Sequence, residues 1–281
     1  MDRCEVLAAP VDSLLLPLSE LIGSLSIRAR LPQIEVAVAE QVVALVFRVL
    51  DAPGEDDLAQ LRAFADAQGV QVWLQPGGLD SIARLDGCGP DGVLGYGLPD
   101  FDIEIQFQPI DFVQVNAQIN ERMVQAAIDY LKPQPTDRVL DLYCGIGNFS
   151  LPLARRAGFV LGIEGEASLV ARAGENARRN GLDNVEFRTA DLSTVDGSEA
   201  WVGEHWDRVL LDPARSGAAE VVAQMRKIDP ERIVYVSCHP GTLARDAGTL
   251  VNELGYTLEA AGIIDMFPHT AHVESVAVFT K

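Results

Sequence analysis

The sequence predicts an α/β fold, a doubly wound and mostly parallel sheet preceded by a smaller N-terminal α/β domain. Two observations carry this. From Arg138 onward, short apolar runs alternate with segments of helical spacing, at the pitch of strand–helix–strand units. Before that lies a turn-rich stretch, Asp86-Gly87-Cys88-Gly89-Pro90-Asp91-Gly92, continuing through Gly95, Gly97 and Pro99. It separates two regions, read here as domains 1–110 and 111–281.

In the first region, residues 35–50 read as strand-like apolar segments. Residues 56–68 read as an acidic amphipathic helix closed by Gly69, followed by a short strand over 70–74. In the second, 120–131 has helical apolar spacing and stops at Lys132-Pro133-Gln134-Pro135. Strands are expected at 138–142, 160–163, 185–187, 208–211, 232–236 and 273–279. Helices are expected at 149–156, at 167–180 with Gly181 beyond it, and at 243–254 with Gly255 beyond it. In such a sheet, ligands bind at the carboxyl ends of the strands.

Composition removes several classes. Of 281 residues, 48% are hydrophobic and 22% charged, as in an ordinary globular protein. No apolar run reaches the roughly 18–20 residues of a membrane span, and the N-terminus lacks the layout of a secretory signal. Cys4, Cys88, Cys144 and Cys238 form no C-x-x-C pair, which argues against a zinc ribbon or disulfide framework and for a reducing cytoplasm. With 22 basic and 41 acidic residues the net charge is −19, so the chain as a whole does not attract nucleic acid. Residues 1–137 hold 8 basic against 21 acidic residues, and 138–281 hold 14 against 20. A nucleic-acid partner would have to meet a local basic surface, or a part of the protein outside this sequence.

The strand ending in Val139-Leu140-Asp141-Leu142 runs into Tyr143-Cys144-Gly145-Ile146-Gly147-Asn148, a turn whose glycines let backbone approach a ligand. It lacks the third glycine of the dinucleotide fingerprint. The next strand ends at Glu164, placed to accept ribose hydroxyls, and Asp191 follows the third, placed to receive an adenine amino group. Acids at successive strand ends would repel a pyrophosphate. S-adenosylmethionine, cationic at sulfur, fits. A plain Gly turn with solvent-facing acids is the alternative for either acid alone; together they favour the cofactor.

Val234-Tyr235-Val236-Ser237-Cys238-His239-Pro240 places a cysteine between a buried strand and a helix start, where the helix end would favour a thiolate. A small core cysteine is the alternative. Asp212-Pro213-Ala214-Arg215-Ser216-Gly217 offers an acceptor and a guanidinium fork at the preceding strand end. His269, His272 and Glu274 gather at the last strand's entry, without the further ligands a zinc site needs, so the histidines are expected to cap or pack.

Five ordered motifs are similar to those of the RNA uracil-5-methyltransferase family: Asp111–Asn116, Leu140–Asn148, Leu211–Gly217, Ser237–Asp246 and Asp265–Glu274. The resemblance is greatest to members that methylate 23S ribosomal RNA. It implies a Rossmann-like S-adenosylmethionine-dependent methyltransferase sheet. It also implies S-adenosylmethionine held by Gln114, Tyr143, Asn148, Glu164, Asp191 and Asp212, Cys238 as nucleophile and Glu274 as base. Arg215 and Arg245 become candidates for RNA contacts. The family's basic β-barrel has no counterpart here, and of the four cysteines of its 4Fe-4S cluster only Cys4 fits, as the last ligand. One thiolate cannot hold a cluster, so the expectation is an N-terminally truncated member whose 1–110 region is an incomplete remnant of the cluster domain. His239 stands where the family more often has Asn. The resemblance implies a cytoplasmic enzyme acting on 23S rRNA, with neither membrane nor obligate protein partner. Two alternatives remain at this level: a cofactor-binding chain inactive on RNA, and a methyltransferase of another substrate class.

Overall fold

The structure, a computed structural model, describes Cys4 and residues 6–281. The chain divides into two compact units. The first comprises the described residues up to Tyr96 with Gln106–Phe112; the second comprises Gly97–Ile105 with Val113–Lys281.

The first unit begins with helix α1 (Leu15–Ser24), which the sequence reading did not anticipate, and strands β1 (Gln33–Val38) and β2 (Val43–Arg48). Helix α2 (Glu55–Gln68), β3 (Gln71–Gln75) and the two-residue β4 (Ala83–Arg84) follow. The sheet order is β1-β2-β3-β4, with only β2 and β3 parallel. Helix α2 is the crossover that a parallel pair requires. Its first turn holds Glu55, Asp56 and Asp57, where carboxylates suit the helix dipole, and Gly69 at φ +64° ends it. Asp57 accepts from Ser26 N (2.7 Å) and Ser26 Oγ (2.6 Å), and these bonds hold its carboxyl below the usual range. Leu25, Leu45, Phe47, Leu61 and Val72 close the core. A short pair, β5 (Gly95–Leu98) and β6 (Ile103–Gln106), carries the chain through the division between the units.

The second unit runs α3 (Ala117–Leu131), β7 (Arg138–Leu142), α4 (Ser150–Ala154), β8 (Phe159–Glu164), α5 (Ala167–Arg179) and β9 (Val185–Thr189). It continues with β10 (Arg208–Leu211), α6 (Ala219–Ile228), β11 (Arg232–Ser237), α7 (Pro240–Asn252), β12 (Thr257–Ile264) and β13 (Glu274–Thr280). The sheet order is β12-β13-β11-β10-β7-β8-β9. Strands β7 to β11 are parallel; β13 and β12 add antiparallel to one side. The order reverses between β7 and β10, and such a switch point opens a ligand crevice at the carboxyl ends. Trp206, Tyr235, Phe279, Leu140 and Leu142 are fully buried in the core of this sheet.

Helix α6 was absent from the sequence reading although Val221, Val222, Met225 and Ile228 are its buried stripe. Helix α7 begins at Pro240 rather than Leu243, because His239 caps it and proline suits the first helical position. Helix α4 is shorter than residues 149–156. Strand β12 was also missed: nearly all its residues are exposed, so no face is marked apolar.

Gly162 lies at the centre of β8, level with Asp141 and Phe187. A Cβ there would lie 2.6 Å from the Phe187 ring and 2.9 Å from Cys144 Sγ. Gly162→Ala is therefore expected to lower stability by about 1–3 kcal/mol, as overpacking does, read by urea denaturation.

Candidate active site at the carboxyl edge of the sheet

The parallel register brings three sequence-predicted residues to one edge. Leu142 lies level with Leu211 and Ile163, so Tyr143, Asp212 and Glu164 emerge together where the strands end. Tyr143 N and Cys144 N both donate to Ile163 O, at 2.9 and 3.1 Å, and bind the turn to the neighbouring strand. Those bonds hold Tyr143 at φ +67°, a left-handed conformation costing a non-glycine residue about 1–3 kcal/mol. Glu164 pins the same turn. Its Oε2 accepts from Gly145 N (3.1 Å), and its Oε1 accepts from Gly165 N (2.7 Å) and Glu166 N (3.1 Å). A carboxylate has about four acceptor positions and three are taken here, so one hydroxyl donor of a ligand can still add. Asn148 exchanges two amide hydrogen bonds with Asn120 of α3, at 2.9 and 3.0 Å. Asp191 lies exposed beyond β9, where its Oδ1 accepts from Ser193 N and Ser193 Oγ and its carboxyl is held below the usual range.

Behind the turn sits an acid the sequence reading did not single out as a site residue. Asp141 is fully buried in β7, and burial pushes its carboxyl up to about 7, with the Asp212 and Glu164 charges adding to the effect. Its Oδ2 accepts from Ser150 Oγ, while Oδ1 has no protein partner. Gln114 Oε1 is likewise buried without a partner. Burial, then the Glu274 charge, pushes Asp212 up to about 7 as well. The unpartnered Asp141 oxygen, with the Asp212 and Glu164 charges acting on it, is a set of acceptors that suits a cationic ligand with N–H and O–H donors, whose charge would favour the ionised carboxylates. S-adenosylmethionine fits that description; a pyrophosphate does not.

The reactive end is set by the antiparallel ladder between β11 and β13. Ser237 lies opposite Ser275, where the paired stretch of β11 ends; Cys238 and Glu274 are the next residues on either side, and the Glu274 charge acts on the thiol. Cys238 is partly buried and Glu274 buried. The expectation of a low thiol pKa is corrected here: the Cys238 thiol is pushed up, first by burial, then by the Glu274 and Asp212 carboxylates, with Arg215 acting in the opposite sense. The helix end does not offset this. Its first residue, Pro240, has no N–H, and Thr242 N donates to His239 Nδ1 at 3.2 Å. The same bond explains His239, whose ring nitrogen does the capping that an Asn oxygen does elsewhere. Burial raises the Glu274 carboxyl too, so it binds a proton more readily than an exposed glutamate.

The loop carrying Asp212 and Arg215 is fastened to α7. Thr242 Oγ1 donates to Arg215 O (3.2 Å) and Arg245 Nη2 to Ser216 O (3.0 Å). Buried Asp246 accepts from Ala218 N (2.8 Å), Tyr235 Oη (2.7 Å) and Arg245 Nε (2.8 Å). Gly217, at φ +78°, fits because a Cβ would come within 2.6 Å of Arg245 and 2.8 Å of Asp246. Arg245 thus braces this loop while about half of its side chain stays exposed. Asn120, Asp141 and Asp246 could have been found as polar residues at apolar positions of a helix or strand, a usual mark of a buried polar partner.

Cys4 is a half-buried free thiol in the first unit. Among the described residues, no group of three or more His, Cys, Asp or Glu side chains could hold a metal ion, so the cysteines present do not fit a cluster. No described helix is long and apolar enough to cross a membrane.

The strand order, the Gly turn and the acids at the strand ends define a Rossmann-like sheet of the S-adenosylmethionine-dependent methyltransferase type. Residues 94–281 match the tRNA (uracil-5-)-methyltransferase family, and the chain belongs to it. It is 52% identical over 283 aligned residues to the 23S rRNA (uracil(1939)-C(5))-methyltransferase RlmD of Methylococcus capsulatus, with 100% of this chain and 63% of that protein covered. The protein of the same name from Alkalilimnicola ehrlichii is 53% identical, with the same coverage. The chain therefore spans 63% of the length of these curated relatives. Among solved structures, Pyrococcus abyssi tRNA (uracil-54, C5)-methyltransferase in complex with S-adenosyl-L-homocysteine aligns at a TM-score of 0.76 and 24% identity, covering 100% of this chain and 69% of that one. M. jannaschii TYW2 in complex with AdoMet aligns at 0.55 and 15% identity, covering 88% of this chain and 100% of that one. Both likenesses speak to the fold.

Proposed function

We propose that this chain transfers a methyl group from S-adenosylmethionine to C5 of a uridine in 23S ribosomal RNA, through a covalent bond between Cys238 and C6. The observation that supports the reading is the β11–β13 register, which ends one residue short of Cys238 and Glu274, together with the Glu274 and Asp212 charges that act on the thiol. Residues 111–281 form the catalytic domain and 1–110 a smaller domain in this reading. The curated relatives, named for this reaction on 23S rRNA, support the substrate.

Gln114, Tyr143, Asn148, Glu164, Asp191 and Asp212 hold the cofactor, with Asp141 behind them. When bound, S-adenosylmethionine supplies an electrophilic methyl group to a nucleophilic carbon. Uracil C5 is a poor nucleophile until the ring is activated. The Cys238 thiol first gives up its proton to water, which leaves Glu274 ionised for the later step. Its sulfur then bonds to C6, and the C5–C6 π pair moves to C5 and the C4 oxygen as an enolate. Once C5 carries the methyl group, Glu274 takes the C5 proton. The C–H pair re-forms the double bond, and the sulfur leaves C6 with its own bonding pair. A raised thiol pKa lowers the thiolate fraction available for attack and makes sulfur a poorer leaving group, so removal of the thiol proton and removal of the C5 proton by Glu274 both matter. The target base must leave its stack to reach the site.

The test is incorporation of labelled methyl groups into a 23S rRNA transcript by the wild type and by Cys238→Ala. Label recovered as 5-methyluridine with the wild type alone is the expected result. Label recovered with Cys238→Ala would overturn the mechanism.

A further inference from the structure

The loop between β12 and β13 brings His272 to Arg215. The Arg215 Nη2 donates to His272 Nδ1 at 2.5 Å, and the Phe267 ring meets the imidazole edge-on with centroids 5.6 Å apart. Met266, fully buried, anchors the loop one residue before Phe267. His272 lies two residues before Glu274, and Arg215 three residues after Asp212. The bond therefore ties together the two segments that flank Cys238. Nδ1 can accept only from a neutral ring that carries its proton on Nε2.

We propose that His272 is a positioning residue for Cys238, its ring nitrogen holding the Arg215 guanidinium in the loop that flanks the thiol. The charged and titratable groups that act on this thiol are Glu274 from β13, Asp212 from the end of β10 and Arg215 from the loop beyond it. Arg215 opposes the other two. Its own backbone is fixed through the Thr242 bond to Arg215 O, whereas its exposed side chain depends on His272 for its direction. Without the imidazole the guanidinium is free to turn to solvent, where screening removes most of its influence. This gives the motif Pro268-His269-Thr270-Ala271-His272 a use that neither a metal site nor simple packing supplies.

The inference rests on Cys238 as the nucleophile, but its test needs neither cofactor nor RNA, so a failure here is read separately from a failure of methyl transfer. The rate of Cys238 alkylation by iodoacetamide is followed against pH in the whole chain, with the modified peptide quantified by mass spectrometry. His272→Ala is expected to slow alkylation at pH 7 by about three- to tenfold and to move the profile to higher pH, a tenfold change per unit of thiol pKa. Arg215→Ala should give the same displacement, and the double variant no more than either alone. His272→Gln, which keeps an acceptor, should restore much of the wild-type profile. An unchanged profile in His272→Ala, additive displacements in the double variant, or a His272→Gln profile as displaced as that of His272→Ala would each overturn the proposal.

Discussion

Glu274→Gln is expected to stop the reaction with RNA still bonded to Cys238. Glutamine has nearly the same shape as glutamate and cannot take a proton at C5. Attack at C6 and methylation at C5 precede that step, so they can proceed, and elimination of the sulfur cannot. Turnover should fall by about 10²–10⁴-fold, the usual scale for a general base. A denaturing gel should show a protein–RNA band absent from Cys238→Ala and from the double variant. Turnover by Glu274→Gln at near the wild-type rate would remove Glu274 from the base role. The buried position of Glu274 is what makes the prediction sharp, because bulk water is poorly placed to substitute.

The second large effect concerns pH. Asp141 and Asp212 both titrate near 7 in the free chain, held there chiefly by burial. A cationic cofactor favours their ionised forms, so binding below pH 7 must release protons. Affinity for S-adenosylmethionine should therefore rise with pH through about 7 and level off above it, by up to about tenfold per pH unit for each group. The stability of the cofactor-free chain runs the other way. A carboxyl whose folded pKa lies above its unfolded value, about 3.9, contributes stability that is complete below that value. The contribution is lost as pH rises through about 7. Titration calorimetry between pH 5.5 and 8.5, in buffers of different ionisation enthalpy, counts the protons released. Asp212→Asn should weaken binding above pH 7 and flatten the dependence. A cofactor affinity independent of pH in the wild type would contradict this account of the acids.

The parallel core of the second unit was legible because its strands are continuous apolar runs separated by turn residues, as at Leu140-Asp141-Leu142 and Val234-Tyr235-Val236. The predicted edge was legible for the same reason: in a doubly wound sheet a residue just past a strand lies at the ligand end, which places Tyr143, Glu164 and Asp212 without further information. Strand β12 was not legible, since an edge strand exposed along most of its length carries no two-residue alternation. Neither was the direction of the Cys238 pKa. Helix position alone suggested a thiolate, but the opposing influences are burial, which only packing supplies, and then Glu274, 36 residues away in sequence and brought near by the β11–β13 ladder. The partnership of Arg215 with His272 spans 57 residues and was invisible on the same grounds. Asp141 was visible as a letter in a motif, but its importance depends on burial that only packing supplies.

The most direct test of the central claim is to incubate the chain with S-adenosylmethionine and an RNA hairpin whose uridines are replaced by 5-fluorouridine. Fluorine at C5 leaves no proton for Glu274 to remove, so the adduct persists. The account predicts a species of protein plus methylated RNA by intact mass, with the RNA mapped to the Cys238 peptide. A stable complex mapped to another residue, or methylated RNA released free of protein, would contradict it.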